Sequence, residues 1–373
     1  MMGPAGPAGP VGVAVVGCGT ISHEYLRNLT SFPDLSVLCC ADLILERARE
    51  QAAKYGVPEW GTTAQALRRP EVELVVNLTP PAAHAEVTSA ALAAGKSVWT
   101  EKPLALDTAT GQRLLAEADR AGLRLGCAPD TVLGAGFQTA RRLIAEGVIG
   151  VPQTALTLMQ NPGPEGWHPD PEFLFQRGAG PLFDIGPYYL SVLALIFGPA
   201  EQVAAAGHRS RDTRVIGRGP RAGTEFRVEV PTQVSALIEY ARGPVATLLL
   251  SFESPLRRHG FVEVTGTEAT LALPDPNRFD GEIRLRAGGT DQVLPTAGAA
   301  DGRGLGALDL SRALRRGGRP RASGELGLHV LETMEAIDRS AADHSFQPVR
   351  STFTRPEALD PGWDPKARTL VSA

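Results

Sequence analysis

Short apolar runs recur along the first third of the chain, with helical stretches between them. Val11–Val16 is a nearly continuous apolar run, and similar runs lie at Leu35–Ala41, Leu74–Leu78, Ser97–Thr100 and Leu123–Ala128. Such runs are typical of strands that are buried on both faces. The intervening stretches have helical periodicity over about a dozen residues each. Strands that alternate with helices in this way predict an α/β architecture with a doubly wound parallel sheet.

The pattern changes after residue 128, where apolar and polar residues alternate. Thr154–Gln160, Gln233–Tyr240 and Ala246–Phe252 are examples, and their period of two is that of a half-buried strand. Short turns between many of these runs predict a largely antiparallel sheet. Gly288–Gly306 is expected to be a flexible loop. Helices are predicted at Phe137–Glu146, Phe183–Phe197, Leu308–Arg315 and Glu325–Ala341.

The two patterns, together with a length of 373 residues, predict two domains. Residues 1–10 repeat Gly and Pro and lack the features of a signal peptide, so we expect a flexible leader. Residues 11–128 are predicted to form the parallel domain, and residues 129–350 an α+β domain on the antiparallel sheet. Residues 351–373 carry proline and charge without a clear period, so we expect a loosely ordered tail.

The first strand is followed by a glycine turn, Gly17-Cys18-Gly19, and then by a helical pattern. Strand, glycine turn and helix in this order are the phosphate-binding start of a Rossmann unit, although the short motif alone also arises by chance. Gly17 allows the tight turn, and Gly19 lets the backbone approach a pyrophosphate at the helix N-terminus. Ser22 takes the position of the usual third glycine and is small enough for close packing. The predicted contacts are Gly17, Cys18, Gly19, Thr20 and Ile21.

An acidic residue, Asp42, ends the second predicted strand. A carboxylate at this position accepts hydrogen bonds from the adenosine ribose and repels a 2′-phosphate, so it favours NAD over NADP. The alternative is an aspartate that only caps the next helix. With the glycine turn, Asp42 indicates that residues 11–128 are an NAD-binding Rossmann domain.

Further polar residues follow the neighbouring strands, and ligands bind beyond the carboxyl ends of strands in such sheets. Asn77, Thr79 and Pro80 lie at the end of one strand, and Glu101 and Lys102 follow the next. Glu101 is expected to support Lys102 without doing chemistry itself. His84 is either a cofactor contact or only a residue at the start of a helix. The predicted cofactor contacts at this edge are therefore Asn77, Thr79, Pro80, His84 and Glu101.

Lys102, Asp184 and Tyr188 are the predicted catalytic residues. Asp184 and Tyr188 are four residues apart, so they share one face of the predicted helix. A lysine, a carboxylate and a phenol suit alcohol oxidation, in which a hydride leaves the carbinol carbon while a base takes the hydroxyl proton. The ammonium of Lys102 would stabilise charge on the oxygen, and a nearby cation lowers the pKa of a phenol. The alternative for Tyr188 is a core aromatic of a buried helix.

Trp167 and His168 lie on a loop rich in Pro and Gly, Asn161–Pro181. Aromatic faces stack on sugar rings, so both residues are candidate substrate contacts together with Lys102, Asp184 and Tyr188. His329 lies in an amphipathic helix and is expected to have a packing role.

Composition and charge narrow the function classes. The net charge of −4 disfavours a nucleic-acid partner, and the longest apolar stretch, Tyr188–Phe197, is too short to span a bilayer. The four cysteines form no CxxC pair and are expected to be core residues in a reducing compartment. The histidines show no metal-ligand spacing. We therefore expect a cytoplasmic protein without a metal, nucleic-acid or membrane partner.

The motifs together resemble the Gfo/Idh/MocA oxidoreductase family. They are Gly17-Cys18-Gly19, Glu101-Lys102-Pro103 and the run Gly178–Tyr188, and the resemblance extends from about Val11 to Val349. It implies that Lys102 is catalytic and that Asp184 and the residue four later complete the site. Many inositol-dehydrogenase-like members have histidine where this chain has Tyr188, which disfavours inositol as the substrate. The family's frequent Asn-x-Arg is also replaced, by residues 128–131, so substrate contacts from that loop must differ.

The leading hypothesis is an NAD-dependent oxidoreductase that interconverts an alcohol and a ketone on a sugar, cyclitol or sugar-like substrate. A redox-assisted glycoside-cleaving enzyme is an alternative, which release of an aglycone without net NADH would reveal. A non-catalytic NAD-binding sugar sensor is another, but a sensor has no need of Lys102, Asp184 and Tyr188. The resemblance also implies a homodimer or homotetramer formed through the open face of the second sheet, and the alternating strands carry more apolar positions than one covered face needs.

Overall fold

The computed structural model describes residues 9–241 and 243–370. The chain forms two compact units, and each is built from separated segments. The first unit contains the residues up to Ala135, Ala297–Leu328 and the segment that begins at Leu359, whereas the second contains Gly136–Thr296 and His329–Ala358. The boundaries predicted at residues 128 and 350 therefore do not coincide with the limits of these units. Most of the predicted leader lies outside the described residues.

The first unit contains a six-stranded sheet with the order β3-β2-β1-β4-β5-β6. All of its strand pairs are parallel, so the predicted doubly wound sheet is confirmed. The short edge strand β3 carries only one buried residue, Gly61, and so gives no apolar run in the sequence. The strands are β1 (Val11–Val16), β2 (Leu35–Ala41), β3 (Glu59–Gly61), β4 (Leu74–Asn77), β5 (Ser97–Thr100) and β6 (Leu125–Cys127).

Helices connect the strands, and local sequence explains several of their ends. Asp107 accepts a hydrogen bond from the Thr110 amide (2.7 Å) at the start of one helix, as an N-cap residue does. Gly56 and Gly122 end two helices with positive φ angles of 65° and 66°, a conformation that glycine adopts freely. The helices are α1 (Ser22–Leu29), α2 (Leu45–Tyr55), α3 (Thr63–Leu67), α4 (Pro81–Ala93), α5 (Thr108–Ala121), α6 (Ala135–Ala145), α7 (Gly180–Phe197), α8 (Leu305–Arg316) and α9 (Gly324–Asp343).

The C-terminal segment is anchored to the first unit, in contrast to the loosely ordered tail that we expected. The buried carboxylate of Asp34 accepts hydrogen bonds from the backbone amides of Thr369 and Leu370, both at 2.8 Å. It also forms an ion pair with the Nε of Arg312 in α8 (2.8 Å). Arg312 in turn donates to the carbonyl oxygens of Asp364 and Ala367. Polar contacts therefore hold this segment, and its sequence has no hydrophobic period that would predict them.

The second unit contains a nine-stranded sheet with the order β16-β15-β14-β13-β7-β12-β11-β8-β17. The pair β7–β12 is parallel and the other pairs are antiparallel, so the largely antiparallel sheet is confirmed. Strand β16 lies within Gly288–Gly306, which was expected to be a flexible loop. The sequence does not predict this strand, because its residues are almost all exposed and show no alternation. The strands are β7 (Pro152–Gln160), β8 (Ala200–His208), β11 (Gln233–Tyr240), β12 (Val245–Ser251), β13 (Arg258–Gly266), β14 (Thr270–Leu273), β15 (Ile283–Ala287), β16 (Thr290–Leu294) and β17 (Gln347–Pro348), and β9 (Thr213–Val215) pairs with β10 (Glu225–Arg227) in a separate ribbon.

One face of the nine-stranded sheet packs against α7, which contacts β7, β11 and β12. Within the described residues, one helix, α7, is long and apolar enough to cross a membrane, and most of it is buried inside the protein. Core helices of globular proteins have the same composition. His329 in α9 is also buried, and its Nε2 accepts the Ala200 amide (2.9 Å), which agrees with a packing role.

The opposite face of this sheet exposes apolar side chains. Leu156, Leu237 and Phe261 remain 45%, 46% and 37% exposed. The strand register places Leu237 beside Thr247 and Thr247 beside Leu156, so these side chains lie on one continuous face.

Candidate active site

The glycine turn after β1 has the geometry that its sequence predicts. Gly17 has a φ of +95°, and a Cβ there would lie 2.6–2.7 Å from backbone atoms of Leu78 and Thr79. No other residue fits at this position without displacing the backbone. At Gly19, by contrast, a Cβ would meet no described atom within 4 Å. The backbone at Gly19 is therefore open, as the predicted approach of a pyrophosphate requires.

Helix α1 starts directly after this turn. The buried Ser22 donates from Oγ to the carbonyl of Gly19 (2.6 Å), so the serine both packs closely and ties the helix to the turn. Gly19 and Thr20 are exposed, and Ile21 is half-buried. The backbone of these residues is thus accessible to a ligand at the positive end of the helix.

Asp42 lies directly after β2, beside the glycine turn. Its Oδ2 accepts the Cys18 amide (2.7 Å), and its Oδ1 accepts the Ile44 amide (2.8 Å). These bonds orient the carboxylate, and its remaining lone pairs can still accept from ribose hydroxyls. The bond to Ile44 also shapes the entry to α2, so the two roles considered for Asp42 are compatible. The next side chain, Leu43, is 97% exposed.

Asn77 at the end of β4 organises the neighbouring loop. Its side-chain oxygen accepts from the amide (3.2 Å) and the hydroxyl (2.6 Å) of Thr79, and its Nδ2 donates to His84 O and to Thr88 Oγ1. The side chain is buried and uses both of its polar atoms inside the protein. Asn77 therefore shapes the turn of Thr79 and Pro80, the residue that precedes α4.

His84 is buried, and both of its ring nitrogens face carbonyl oxygens. Nδ1 lies 2.7 Å from the Pro103 oxygen, and Nε2 lies 2.8 Å from the Thr79 oxygen. Burial lowers the pKa of His84, whereas the two carbonyls oppose this effect. The ring thus joins the loop after β4 to the loop after β5. Direct contact with a cofactor would require the exchange of one of these bonds.

The loop after β5 carries Lys102, and Glu101 fixes its backbone. Glu101 Oε2 accepts the Lys102 amide (3.0 Å), and Glu101 Oε1 accepts the hydroxyl of Tyr25 (2.7 Å). The Glu101 amide donates to the Asn77 carbonyl (2.9 Å). The predicted supporting role of Glu101 agrees with this geometry.

Tyr25 and Asp130 were not singled out by the sequence. In the sequence, Tyr25 occupies one of the apolar positions of the α1 pattern. Only the tertiary fold brings its hydroxyl to Glu101. Asp130 follows β6 and is fully buried, and its carboxylate accepts the amides of Gly304 (2.7 Å) and Gly306 (3.4 Å) and pairs with Arg303 (3.2 Å). Burial raises the pKa of Asp130, against the opposing effect of Arg303.

The second unit carries Asp184 and Tyr188 one turn apart on α7. Tyr188 is 6% exposed, and Asp184 is half-buried. Pro187 lies between them inside the helix, so the Phe183 carbonyl cannot receive its usual helical hydrogen bond. Helix α7 therefore lacks one backbone hydrogen bond at this point, and it carries a carboxylate and a phenol on one face.

Trp167, His168 and Phe173 form an aromatic cluster in the second unit, in which Trp167 and Phe173 are exposed and His168 is half-buried. The rings of Trp167 and His168 are 5.5 Å apart, and those of His168 and Phe173 are 5.4 Å apart, both edge to face. His168 Nδ1 accepts the Asp170 amide (3.0 Å), so in the neutral ring the proton is on Nε2. The cluster therefore offers aromatic faces and one directed donor.

The loop that carries this cluster is held by a buried arginine. Arg214 bonds to Glu165 and to the Pro162 carbonyl at the start of the loop, and it pairs with Glu253 (2.9 Å). Charge pairing inside the protein thus fixes a loop that has little regular structure of its own.

The structure gathers the predicted residues of the first unit at one edge of its sheet, whereas those of the second unit lie on α7 and on a separate loop. Gly17 to Ser22, Asp42, the Asn77–Pro80 turn, His84 and Glu101-Lys102 lie at the carboxyl edge of the six-stranded sheet. Asp184 and Tyr188, and separately Trp167 and His168, belong to the second unit. Among residues 9–241 and 243–370 no group of three or more His, Cys, Asp or Glu side chains is arranged to hold a metal ion. The four cysteines are free and buried.

Fold and site together define a dinucleotide-dependent oxidoreductase. The family model for the Gfo/Idh/MocA oxidoreductases with an NAD-binding Rossmann fold matches residues 11–128, and the model for the C-terminal domain of the same family matches residues 137–272. The chain belongs to this family, as its motifs predicted. Its first unit contains the NAD-binding Rossmann domain, residues 11–128, and the prediction of an NAD(P)-dependent enzyme is confirmed.

Relatives match along most of the chain. An uncharacterized oxidoreductase from Rhizobium meliloti is 27% identical over 90% of this chain and 98% of its own length. The 1,5-anhydro-D-fructose reductase of Ensifer adhaerens is 27% identical over 88% of this chain and 95% of its own. A crystal structure of levoglucosan dehydrogenase with NADH and L-sorbose has the same fold, with a TM-score of 0.80, 22% identity and coverage of 91% of this chain and 99% of that chain.

Proposed function

We propose that the protein is an NAD-dependent dehydrogenase or reductase that interconverts a secondary alcohol and a ketone on a sugar, cyclitol or sugar-like substrate. The observation that supports this most directly is the loop of Glu101 and Lys102, which is fixed at the same sheet edge as the glycine turn. The relatives named for 1,5-anhydro-D-fructose and levoglucosan favour the same substrate class.

The proposal assigns each side chain a chemical task. Bound NAD supplies the hydride acceptor. The ammonium of Lys102 holds the reacting oxygen and stabilises negative charge on it. Tyr188 carries the hydroxyl proton, and Asp184 orients the substrate. Trp167 offers an aromatic face to a sugar ring and His168 a hydrogen-bond donor. A packing role for Tyr188 remains the alternative.

A substrate screen tests the proposal. The protein is incubated with NAD or NADP and with levoglucosan, glucose and myo-inositol, and in the reverse direction with NADH or NADPH and with 1,5-anhydro-D-fructose and L-sorbose. Turnover is read at the nicotinamide absorbance. We expect turnover of at least one sugar and none of myo-inositol. Aglycone release from a glycoside without net NADH would contradict simple dehydrogenation.

Asp42 is expected to set the preference for NAD. Asp42→Ala removes the carboxylate that repels a 2′-phosphate and binds the ribose. We expect the affinity for NADH to fall about 10-fold, which corresponds to about 1.4 kcal/mol, while the affinity for NADPH stays equal or rises. The change in nicotinamide fluorescence on binding measures both.

The control for this prediction is Glu46→Ala, which removes an exposed carboxylate of α2 and should change neither affinity. If the unaltered protein binds NADPH more tightly than NADH, the role assigned to Asp42 is wrong.

The proposal also includes a homodimer or homotetramer formed through the open face of the nine-stranded sheet. Leu156, Leu237 and Phe261 expose apolar surface there, and a continuous apolar face of this kind is typical of an interface between subunits.

Leu237→Asp is expected to dissociate the assembly, because it places a charge within the apolar face. Sedimentation velocity at micromolar concentration should show a dimer or tetramer for the unaltered protein and a smaller species for the variant. Val215→Asp is the matched control, since Val215 is 51% exposed but lies in the separate ribbon. A monomeric unaltered protein at micromolar concentration would contradict the proposal.

A further inference from the structure

The hydroxyl of Tyr25 is a buried polar group in the middle of helix α1. Tyr25 is 0% exposed, and its hydroxyl donates to Glu101 Oε1 (2.7 Å) and accepts from Trp99 Nε1 (3.3 Å). A phenylalanine would fill nearly the same volume without a buried polar atom, and burial of a polar group is costly unless it is hydrogen-bonded. The hydroxyl is therefore a specific feature of the site and not only part of the core.

The contacts of Glu101 connect this hydroxyl to Lys102. One carboxylate oxygen of Glu101 receives the Tyr25 hydroxyl, and the other receives the Lys102 amide (3.0 Å). The Glu101 amide is bound to the Asn77 carbonyl. A chain of hydrogen bonds thus runs from α1, through one carboxylate, to the backbone of Lys102.

The charges around Tyr25 keep it a donor. Burial raises its pKa well above the usual value, and the carboxylates of Glu101 and Asp130 raise it further, against the opposing effect of Arg303. The phenol stays protonated at working pH and donates to a carboxylate, which is the stronger kind of hydrogen bond.

Helix α1 also begins at the glycine turn that is predicted to bind the pyrophosphate of the cofactor. Ser22 and Tyr25 lie on this same helix, three residues apart. We propose that Tyr25 is a positioning residue that fixes Lys102 through Glu101 and so couples the cofactor-binding helix to the catalytic lysine. This inference rests on the role of Lys102 in the proposed function.

The first test observes Lys102 directly and needs no substrate. The chain has only four lysines, Lys54, Lys96, Lys102 and Lys366, so protein labelled with ¹³C at lysine Cε gives few resonances, and Lys102→Met assigns the one from Lys102. In Tyr25→Phe we expect the Lys102 resonance and its titration midpoint to shift while the resonances of Lys54 and Lys366 stay unchanged. An unchanged Lys102 resonance would overturn the proposal.

The second test uses turnover of the sugar identified in the screen. In Tyr25→Phe we expect kcat to fall about 10-fold, because a small misplacement of a reacting group costs this much or more. The dissociation constant for NADH, measured by fluorescence, should change by less than about 2-fold. If Tyr25 acts through Glu101, the double variant Tyr25→Phe/Glu101→Gln is no slower than Glu101→Gln alone. If the two substitutions lower kcat independently, so that their fold-losses multiply in the double variant, the proposal is overturned.

Tyr189→Phe is the matched control for the loss of a buried hydroxyl. The Tyr189 hydroxyl accepts the Gly260 amide (3.0 Å) and donates to the Leu158 carbonyl (3.4 Å), so its removal tests stability alone. It should lower the melting temperature without changing the Lys102 resonance. If Tyr25→Phe does not fold, Glu101→Gln must give the shifted resonance and the reduced kcat by itself, and a normal result contradicts the proposal.

The outcomes separate this inference from the proposed function. If Lys102→Met retains turnover, the role of Lys102 fails. If Lys102→Met loses turnover while Tyr25→Phe keeps a normal kcat and a normal Lys102 resonance, only the role of Tyr25 fails.

Discussion

Lys102→Met is expected to lower kcat by about 100-fold or more, because it removes a cation placed to stabilise charge on the reacting oxygen. Methionine keeps an unbranched side chain of similar length, so the packing of the loop should survive. The affinity for NADH should change little, since the glycine turn and Asp42 are untouched. Turnover of the sugar identified in the screen and fluorescence titration with NADH measure the two effects separately.

Lys54→Met is the control, because Lys54 is an exposed lysine on α2 and its loss should leave kcat unchanged. A Lys102→Met variant that turns over within about 3-fold of the unaltered protein would show that another group carries the charge, since 3-fold is well under 1 kcal/mol.

In the same assay, Tyr188→Phe distinguishes the two roles of Tyr188. A proton carrier predicts a large loss of kcat, whereas a core aromatic predicts normal turnover.

The two glycines of the turn should respond differently to alanine. Gly17→Ala is expected to destabilise the first unit by about 2 kcal/mol or more, because the positive φ strains any other residue and the new methyl group overlaps the backbone of Leu78 and Thr79. Gly19→Ala should leave the melting temperature nearly unchanged, because its methyl group enters open space. It should nevertheless weaken NADH binding by about 10-fold, which corresponds to about 1.4 kcal/mol.

Thermal unfolding and NADH titration of both variants check this prediction. Gly56→Ala is a useful control, since Gly56 also has a positive φ (+65°), but a Cβ there would meet no described atom within 4 Å. It should lower stability modestly without affecting NADH binding. If Gly19→Ala binds NADH normally, the prediction that the pyrophosphate lies against this turn is wrong.

Much of the fold follows from hydrophobic periodicity. The strands Leu35–Ala41, Ser97–Thr100 and Gln233–Tyr240 agree with the sequence-based boundaries residue for residue. The elements that were missed have little buried surface. Strand β16 is almost wholly exposed, and β3 buries only Gly61, so neither leaves an apolar period in the sequence.

The site was predictable where its chemistry is local. The turn at Gly17 and the loop at Glu101-Lys102 are short contiguous motifs, and both lie at the predicted sheet edge. The hydrogen bond between Tyr25 and Glu101 joins residues 76 positions apart, and the ring nitrogens of His84 face carbonyl oxygens of two loops. Such contacts depend on the tertiary fold, and no spacing in the sequence encodes them.

The anchored C-terminal segment has a consequence for biosynthesis. Asp34 is synthesised long before its partners Arg312, Thr369 and Leu370, which lie about 280 to 340 residues further along the chain. The first unit therefore lacks its last segment until the whole second unit has been synthesised. A recombinant fragment that stops at residue 128 would leave this carboxylate without its partners, so the segments 297–328 and 359–370 have to be supplied with it.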